Sequence, residues 1–309
     1  MVSQTIAKKI KTSLIPYLFL PLITLVSSIC FAEEEVKQAK FLPTDASYAN
    51  WIFSGIVTNE SGESYGYYFQ MQRENNTFHA TTAVFKEENK EMVLEEDAYA
   101  DLTEIEKYNW RVGQTFLKFN PINDSWIFGF KTKDSVGFNF RVDMLDQEGK
   151  APDRNVLRSG IELVINQTSR LNGHIQLTTE EKEQFVTAKN AWFRQIGYAN
   201  APININSLSG VLCRFNDNSG FYSVNLKAKD AIQGAVTGAC DANGASSLIS
   251  QFIRVKEEKD GAWLIQSKVP PQRFTLQNSK QQNSIIAGFV TDGKLNGFCM
   301  INPLTNETV

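Results

Sequence analysis

Trp51-Ile52-Phe53-Ser54-Gly55-Ile56-Val57, the turn Asn59-Glu60-Ser61-Gly62 and the aromatic run Tyr65 to Arg73 decide the fold. The first stretch is rich in β-branched and aromatic residues, and the second consists of turn formers. In the third, Tyr65, Tyr67, Phe69 and Met71 occupy alternate positions, hence one face of a strand. A strand, a short polar turn and a second strand make an antiparallel hairpin. The grammar then repeats. Phe78 to Lys86 is closed by Glu87-Glu88-Asn89-Lys90, and Trp110 to Phe119 runs into Asn120-Pro121-Ile122-Asn123-Asp124. Trp126 to Lys131 and Val136 to Met144 follow, with Asp146-Gln147-Glu148-Gly149 as a further turn. Short strands joined by Gly/Asn/Asp turns predict an antiparallel meander, closed as a barrel or packed as a sandwich.

One stretch has a different period. Thr178-Thr179-Glu180-Glu181 has capping-box spacing, Phe185, Ala188, Trp192 and Ile196 recur at helical intervals, and Gly197 suits the residue after a helix. The spacing predicts an amphipathic helix over 179–196. Beyond it, from near Ile203, strand candidates resume: Val211 to Phe215, Phe221 to Lys227, Gln233 to Cys240, Leu248 to Glu257, Trp263 to Gln266, Ser284 to Thr291 and Gly297 to Ile301. Asp217-Asn218-Ser219-Gly220, Asp241-Ala242-Asn243-Gly244 and Asp292-Gly293 supply turns. The chain thus reads as mainly β, with antiparallel units over 33–170 and 201–309 separated by a helical connection over 171–200. Ser54-Gly55-Ile56-Val57 is echoed by Ser209-Gly210-Val211-Leu212, each ahead of a turn and an aromatic strand, as a duplicated β unit requires.

The N-terminus reads as an export signal over 1–32. Lys8, Lys9 and Lys11 form a basic region, Ser13 to Ile29 is almost wholly apolar, and Cys30-Phe31-Ala32 places small side chains for cleavage before Glu33. Pro16 and Pro21 interrupt the run, which is short for a bilayer span. The expectation is a secreted or periplasmic protein, delivered by a Sec-fed route such as type II secretion, with no stable membrane insertion once the signal is cleaved. Ile29 before Cys30 speaks against a lipid anchor there. Removing three lysines from 31 Lys+Arg leaves 28 against 34 Asp+Glu, a net charge of 28 − 34 = −6. A mildly acidic chain without clustered Lys and Arg is no general nucleic-acid binder.

Export permits disulfides. Cys213, Cys240 and Cys299 remain after cleavage; Cys213 and Cys240, on neighbouring strand candidates, are the candidate pair, while the odd count leaves open which thiol stays free, and three reduced thiols are the alternative. No CxxC or Cys/His spacing suggests a metal, and two histidines, His79 and His174, leave little room for triads. No nucleophile elbow, Walker loop or dinucleotide fingerprint occurs, so neither a cofactor nor a catalytic residue is assigned. Acidic runs at Glu87-Glu88 and Glu95-Glu96-Asp97 read as solvated faces. Aromatic residues are the distinctive feature. Trp126, Phe128 and Phe130 share one face, as do Phe138 and Phe140, and such ladders either fill a β core or line a cavity for an apolar ligand.

The order of motifs is familiar. Trp51-Ile52-Phe53-Ser54-Gly55, a turn, and Tyr65-Gly66-Tyr67-Tyr68-Phe69 running to Arg73 resemble the opening of the lipocalin-like family of carotenoid 1,2-hydratases and predicted secreted hydrolases. His79-Ala80 falls where that family's next strand carries a histidine. Ser169-Arg170-Leu171-Asn172-Gly173 and Ala191-Trp192-Phe193-Arg194-Gln195-Ile196-Gly197 are similar to its later Arg-Leu and Ala-Trp elements. The resemblance implies two lipocalin-like barrels in tandem. Departures bear on activity: Asn50 and Ile52 replace a Trp and a Tyr of the opening motif, Ile196 replaces a Trp, and the acidic residue expected between Phe193 and Arg194 is absent. In the family that acid is the candidate proton donor.

Three functions follow as expectations. The first is binding of an apolar or amphipathic small molecule, with Trp51, Tyr67, Phe69, Trp192 and Gln195 lining the site and Arg73, His79 or Arg194 orienting a polar head group. The second is an exoprotein acting by surface contact with a host or envelope component. The third is a hydratase or hydrolase with an altered active site.

Overall fold

The computed structural model describes residues 48–302, apart from 145–152, 159–160, 169, 199–207, 229–230, 243–245, 250–252, 259–261, 269–270, 277–279, 283–284 and 292–293. The export signal at 1–32, the turn at 146–149 and the turn residues 243, 244, 292 and 293 lie outside this set.

The first sheet holds β1 (Tyr48–Asn59), β2 (Ser64–Glu74), β3 (Thr77–Lys86), β4 (Met92–Asp101), β5 (Asn109–Val112), β6 (Thr115–Asn120), β7 (Ser125–Lys131) and β8 (Gly137–Asp143). It continues through β9 (Asp153–Arg158), β10 (Ile161–Gln167), β11 (Arg170–Gln176), β12 (Gln184–Ala188) and β13 (Trp192–Tyr198). Its order is β4-β3-β2-β1-β12-β11-β8-β7-β6-β5, with β13, β10 and β9 branching from β1. The opening hairpin pairs as its alternation requires, with Phe53 opposite Phe69 and Trp51 opposite Met71. Its turn is built by Asn59, whose Oδ1 accepts from the Glu63 N–H at 2.8 Å, and by Gly62 at φ +89°. The sheet curls into a nearly closed barrel. At the β5–β6 turn a methyl group on Gly113 would stand 3.3 Å from the Ala98 Cβ of β4. The single strand expected from Trp110 to Phe119 is in fact this hairpin, with Gly113 at φ +59°.

The second sheet comprises β14 (Leu208–Phe215), β15 (Gly220–Ala228), β16 (Ala231–Cys240), β17 (Ser246–Ile249) and β18 (Arg254–Glu257). It adds β19 (Trp263–Lys268), β20 (Pro271–Leu276), β21 (Lys280–Gln282), β22 (Ile285–Thr291) and β23 (Asn296–Asn302). The order β17-β16-β15-β14-β23-β22-β20-β19-β18 forms a curled half-barrel. In both units the opening strand lies between its hairpin partner and a closing strand: β1 between β2 and β13, β14 between β15 and β23.

No helix occurs among the described residues, which corrects the helix expected over 179–196. The capping-box contact does form, the Glu181 N–H donating to Thr178 Oγ1 at 3.2 Å, but it closes only a bend. Trp192 and Ile196 are four apart, an even spacing that also places side chains on one face of a strand, here β13, whereas Ala188 already ends β12. Phe185, the residue that breaks this parity, is 41% exposed. A four-residue period cannot separate helix from strand unless a third position arbitrates.

The expected Cys213–Cys240 pair is also corrected. The bond joins Cys213 to Cys299, and Cys240 is buried outside the disulfide. Register explains why. Cys213 pairs with Phe221 of β15, whereas Cys240 pairs with the adjacent Gly220, so their side chains leave the sheet on opposite faces. Cys299 lies directly opposite Cys213 on the same face. A disulfide fits an oxidising compartment.

The two faces of the second sheet bury different cores. Val211, Cys213, Phe221, Ile265, Phe274 and Cys299 fill its own concave side. Leu212, Tyr222, Ala287, Phe298 and Met300 instead pack on Ile52, Tyr68, Phe85 and Trp192 of the barrel's outer surface, forming one apolar seam. Close approach there depends on glycine: a Cβ on Gly66 would fall inside the Phe298 ring.

Candidate functional site

Strand parity decides which candidate residues meet. On β1 the odd positions, Trp51 and Phe53, face the barrel interior, and the even ones, Ile52 and Ser54, face the seam. Pairing carries that choice across the sheet. Tyr67 and Phe69 of β2 and Phe193 and Gln195 of β13 point inward, with Trp51 opposite Gln195 and Phe53 opposite Phe193. The interior is filled by ring contacts. Phe53 lies 4.1 Å from Phe128, 5.1 Å from Phe193, 6.0 Å from Trp126 and 6.1 Å from Phe69, measured between ring centres. Tyr67 packs edge-on against Phe140 at 5.1 Å. These ladders build a core first.

Arg73 sits at the rim of this interior, its Nε donating to the Asn75 carbonyl at 2.8 Å and its guanidinium 5.8 Å from the Phe78 ring centre. Burial lowers its pKa. His79 is on the outer face. It stacks on the exposed Tyr99 at 3.8 Å, and its Nε2 lies 2.6 Å from Asp97 Oδ1 and 3.0 Å from Thr81 Oγ1. Both contacts use one ring nitrogen, whereas a catalytic relay needs the two nitrogens to serve different partners. His79 therefore belongs to neither interior nor seam.

Trp192 and Arg194 project into the seam, away from the lumen that contains Trp51, Tyr67, Phe69 and Gln195. The Trp192 indole N–H donates to the Cys213 carbonyl at 2.8 Å. Its ring rests on Gly220, where a Cβ would lie 2.6 Å from Trp192 Cζ2. Arg194 donates to Asn50 Oδ1 at 3.3 Å and lies over Gly210. Tyr48 joins this group, with burial holding its hydroxyl far above the usual phenol range against the pull of Arg194.

Arg214 is the residue the sequence did not reveal. It lies on β14 opposite Gly220, in a row that continues to Cys240. Its guanidinium stands 4.9 Å from the Trp192 ring centre and is 2% exposed. Nη1 donates to the Asn218 carbonyl at 2.7 Å, while Nε and Nη2 find no acceptor among the described residues. Burial is the main cause that pulls its pKa down to about 10, so it keeps its charge at neutral pH. An uncompensated buried charge costs several kcal/mol. The missed signal was a charged residue inside a strand, Val211 to Phe215, whose neighbours on both faces are apolar; the following Asn216-Asp217 turn made it read as a strand end.

No group of His, Cys, Asp or Glu among the described residues is arranged to hold a metal. The large apolar residues left exposed among them are spread apart, Tyr99 on β4, Ile122 in the turn between β6 and β7, and Phe185 on β12. No helix among them is long and apolar enough to cross a membrane.

No known sequence family matches the chain, and no curated protein is similar to it in sequence. Solved structures are similar in shape. A protein from Nitrosomonas europaea assigned as AttH superposes with a TM-score of 0.58 at 12% identity, over 84% of this chain and 94% of its own. The fold is lipocalin-like. Kievitone hydratase from Nectria haematococca gives a TM-score of 0.54 at 12% identity, over 82% of this chain and 88% of its own. Identities this low speak for architecture and leave function to the residues.

Proposed function

We propose that this chain is an exported lipocalin-like protein that binds an amphipathic small molecule at the seam between its two β units. One observation carries the reading: the Arg214 guanidinium, buried against Trp192, has Nε and Nη2 without acceptors. An anionic or carbonyl head group supplies what those N–H groups lack, and charge-assisted bonds of this kind are the strong ones. The apolar seam residues provide affinity for the rest of the molecule, and the partly buried Ile56, Met92 and Val236 at its margin are those a tail displaces. The export signal and the disulfide both suit an oxidising destination outside the cytoplasm.

The test is a titration of the mature protein with dodecanoate, using dodecanol as the uncharged control and Trp192 emission as the reporter. Dodecanoate is expected to bind more tightly, and Arg214→Met to weaken it by at least about ten-fold, the worth of a bond to a charged group. Equal affinity in wild type and variant rejects the reading.

A hydratase is the second reading, favoured by Glu96. Its register opposite the inward-facing Thr82 turns it to the barrel interior, and burial, with the charge of Asp97, raises its pKa. It lies on β4, with β3 and β2 between it and β1, and on the opposite face to the Trp192–Arg214 pair. Acid and head-group seat are therefore apart, and binding is the better supported function.

A further inference from the structure

The barrel has a second polar anomaly, independent of the seam. Trp51, Trp110 and Trp126 meet at one end of the interior, with ring centres 5.0 Å apart for the first two and 6.2 Å for the last two. Each is at most 1% exposed, and none of the three indole N–H groups finds an acceptor. Gln195, opposite Trp51 in register, has a buried Oε1 that receives no hydrogen bond. An unmet buried donor is costly, and aromatic cores ordinarily pair their indoles. Three failures side by side point to a ligand.

The mouth of this end is shaped. A groove of about 580 Å³ lies outside it, lined by Glu106 to Asn109 and Lys118 to Pro121. Phe119 belongs to both places: it lines the groove and packs 4.8 Å from Trp126. Tyr108, 6.0 Å from Phe119, gives the groove an aromatic wall. Phe119 is thus the ring that the groove and the indole cluster share.

We propose that this end of the barrel, entered past Phe119, binds a planar apolar molecule bearing an acceptor oxygen, such as an aryl ketone. Indoles only donate, so the complementary group must accept. Flat stacked rings select a flat body. A hydroxyl beside the carbonyl would also satisfy Gln195. The site is separate from the seam, because Arg214 and Trp192 lie outside the barrel wall.

The test uses the full mature chain and 6-propionyl-2-dimethylaminonaphthalene, an aryl ketone whose emission moves to the red when its carbonyl is hydrogen-bonded. Wild type is expected to bind it with quenching of tryptophan emission and a red-shifted bound spectrum. Trp110→Phe and Trp126→Phe keep a ring but remove a donor, and each is expected to weaken binding about five-fold, the worth of one ordinary hydrogen bond. Phe119→Ala opens the groove and is expected to speed association, which keeps the proposal testable should a tryptophan variant fail to fold. Arg214→Met is expected to leave the ketone's affinity unchanged while abolishing the preference for dodecanoate, so the two sites succeed or fail separately. Absence of binding, an unshifted bound spectrum, affinities indifferent to both tryptophan variants, or loss in Arg214→Met alone would each overturn it.

Discussion

Replacing both Cys213 and Cys299 with alanine measures how strongly the disulfide holds the second unit. The bond closes a loop with a sequence separation of 86. In the chain-entropy treatment a loop of that length removes about 4.6 kcal/mol of freedom from the unfolded chain at 25 °C. The two residues face each other across the β14–β23 ladder. The double variant is therefore expected to lose about 4–5 kcal/mol. With a urea dependence of about 2 kcal/mol per molar, its midpoint falls by roughly 2 M. The assay is urea unfolding of wild type and variant, with Cys240→Ala as the control that leaves the loop closed. Alkylation of an unfolded, unreduced chain that lacks residues 1–32 should label Cys240 alone. A loss below about 1 kcal/mol would refute the loop-closure account, and labelling of Cys299 would refute the pairing.

Other perturbations probe separate parts of the structure. Phe53→Ala removes a fully buried ring with four aromatic neighbours and is expected to cost about 3–5 kcal/mol in thermal or urea unfolding; a loss under 1 kcal/mol would mean that the interior is already loosely filled. Gly220→Ala sets a methyl group 2.6 Å from Trp192 Cζ2 and 3.1 Å from the Cys213 carbonyl, so it should shift Trp192 emission and destabilise by about 1–3 kcal/mol, whereas an unchanged spectrum would rule out the close approach. Lys86 and Asn59 hold the Glu63 carboxyl below its usual range. Its folded pKa being depressed, its contribution is complete above the ordinary carboxylate pKa and disappears as pH falls through the folded value. The small stability gap between wild type and Glu63→Gln should then be flat near neutrality and close in acid; a gap that widens in acid has the wrong sign.

Much of the fold could be read from alternation and turn chemistry. Asn59 to Gly62, Asn120 to Asp124 and Asp217 to Gly220 turn the chain where their side chains cap the local backbone, and the strands between them pair in simple antiparallel succession. The stretch 179–196 was illegible because its apolar spacing is even, and only tertiary pairing with β1 and β11 makes it two strands. Cysteine pairing failed for a related reason: proximity of strands could be inferred, but which face each thiol occupies depends on a register fixed elsewhere. For the site, Trp51, Tyr67, Phe69 and Gln195 were brought together on the inner face. Trp192 and Arg194 emerged on the other side of the same strand, a distinction that parity encodes only once β1 is known to be buried on both faces. Arg214 showed only as a charge inside an apolar strand and Trp110 not at all, because an orphaned donor is a property of surroundings and never of spacing.

The long reach of β1 has a consequence for how the molecule is made. Asn50 and Arg194 touch across a sequence separation of 144. At about 5–20 residues per second of synthesis, roughly 7–30 seconds pass before the partner of that edge exists. Through that interval one side of an aromatic strand presents open amide and carbonyl groups, an invitation to aggregate that only a holdase or rapid passage to β13 removes. Yield in a cell should therefore track translation speed and chaperone supply more closely than the stability of the finished protein.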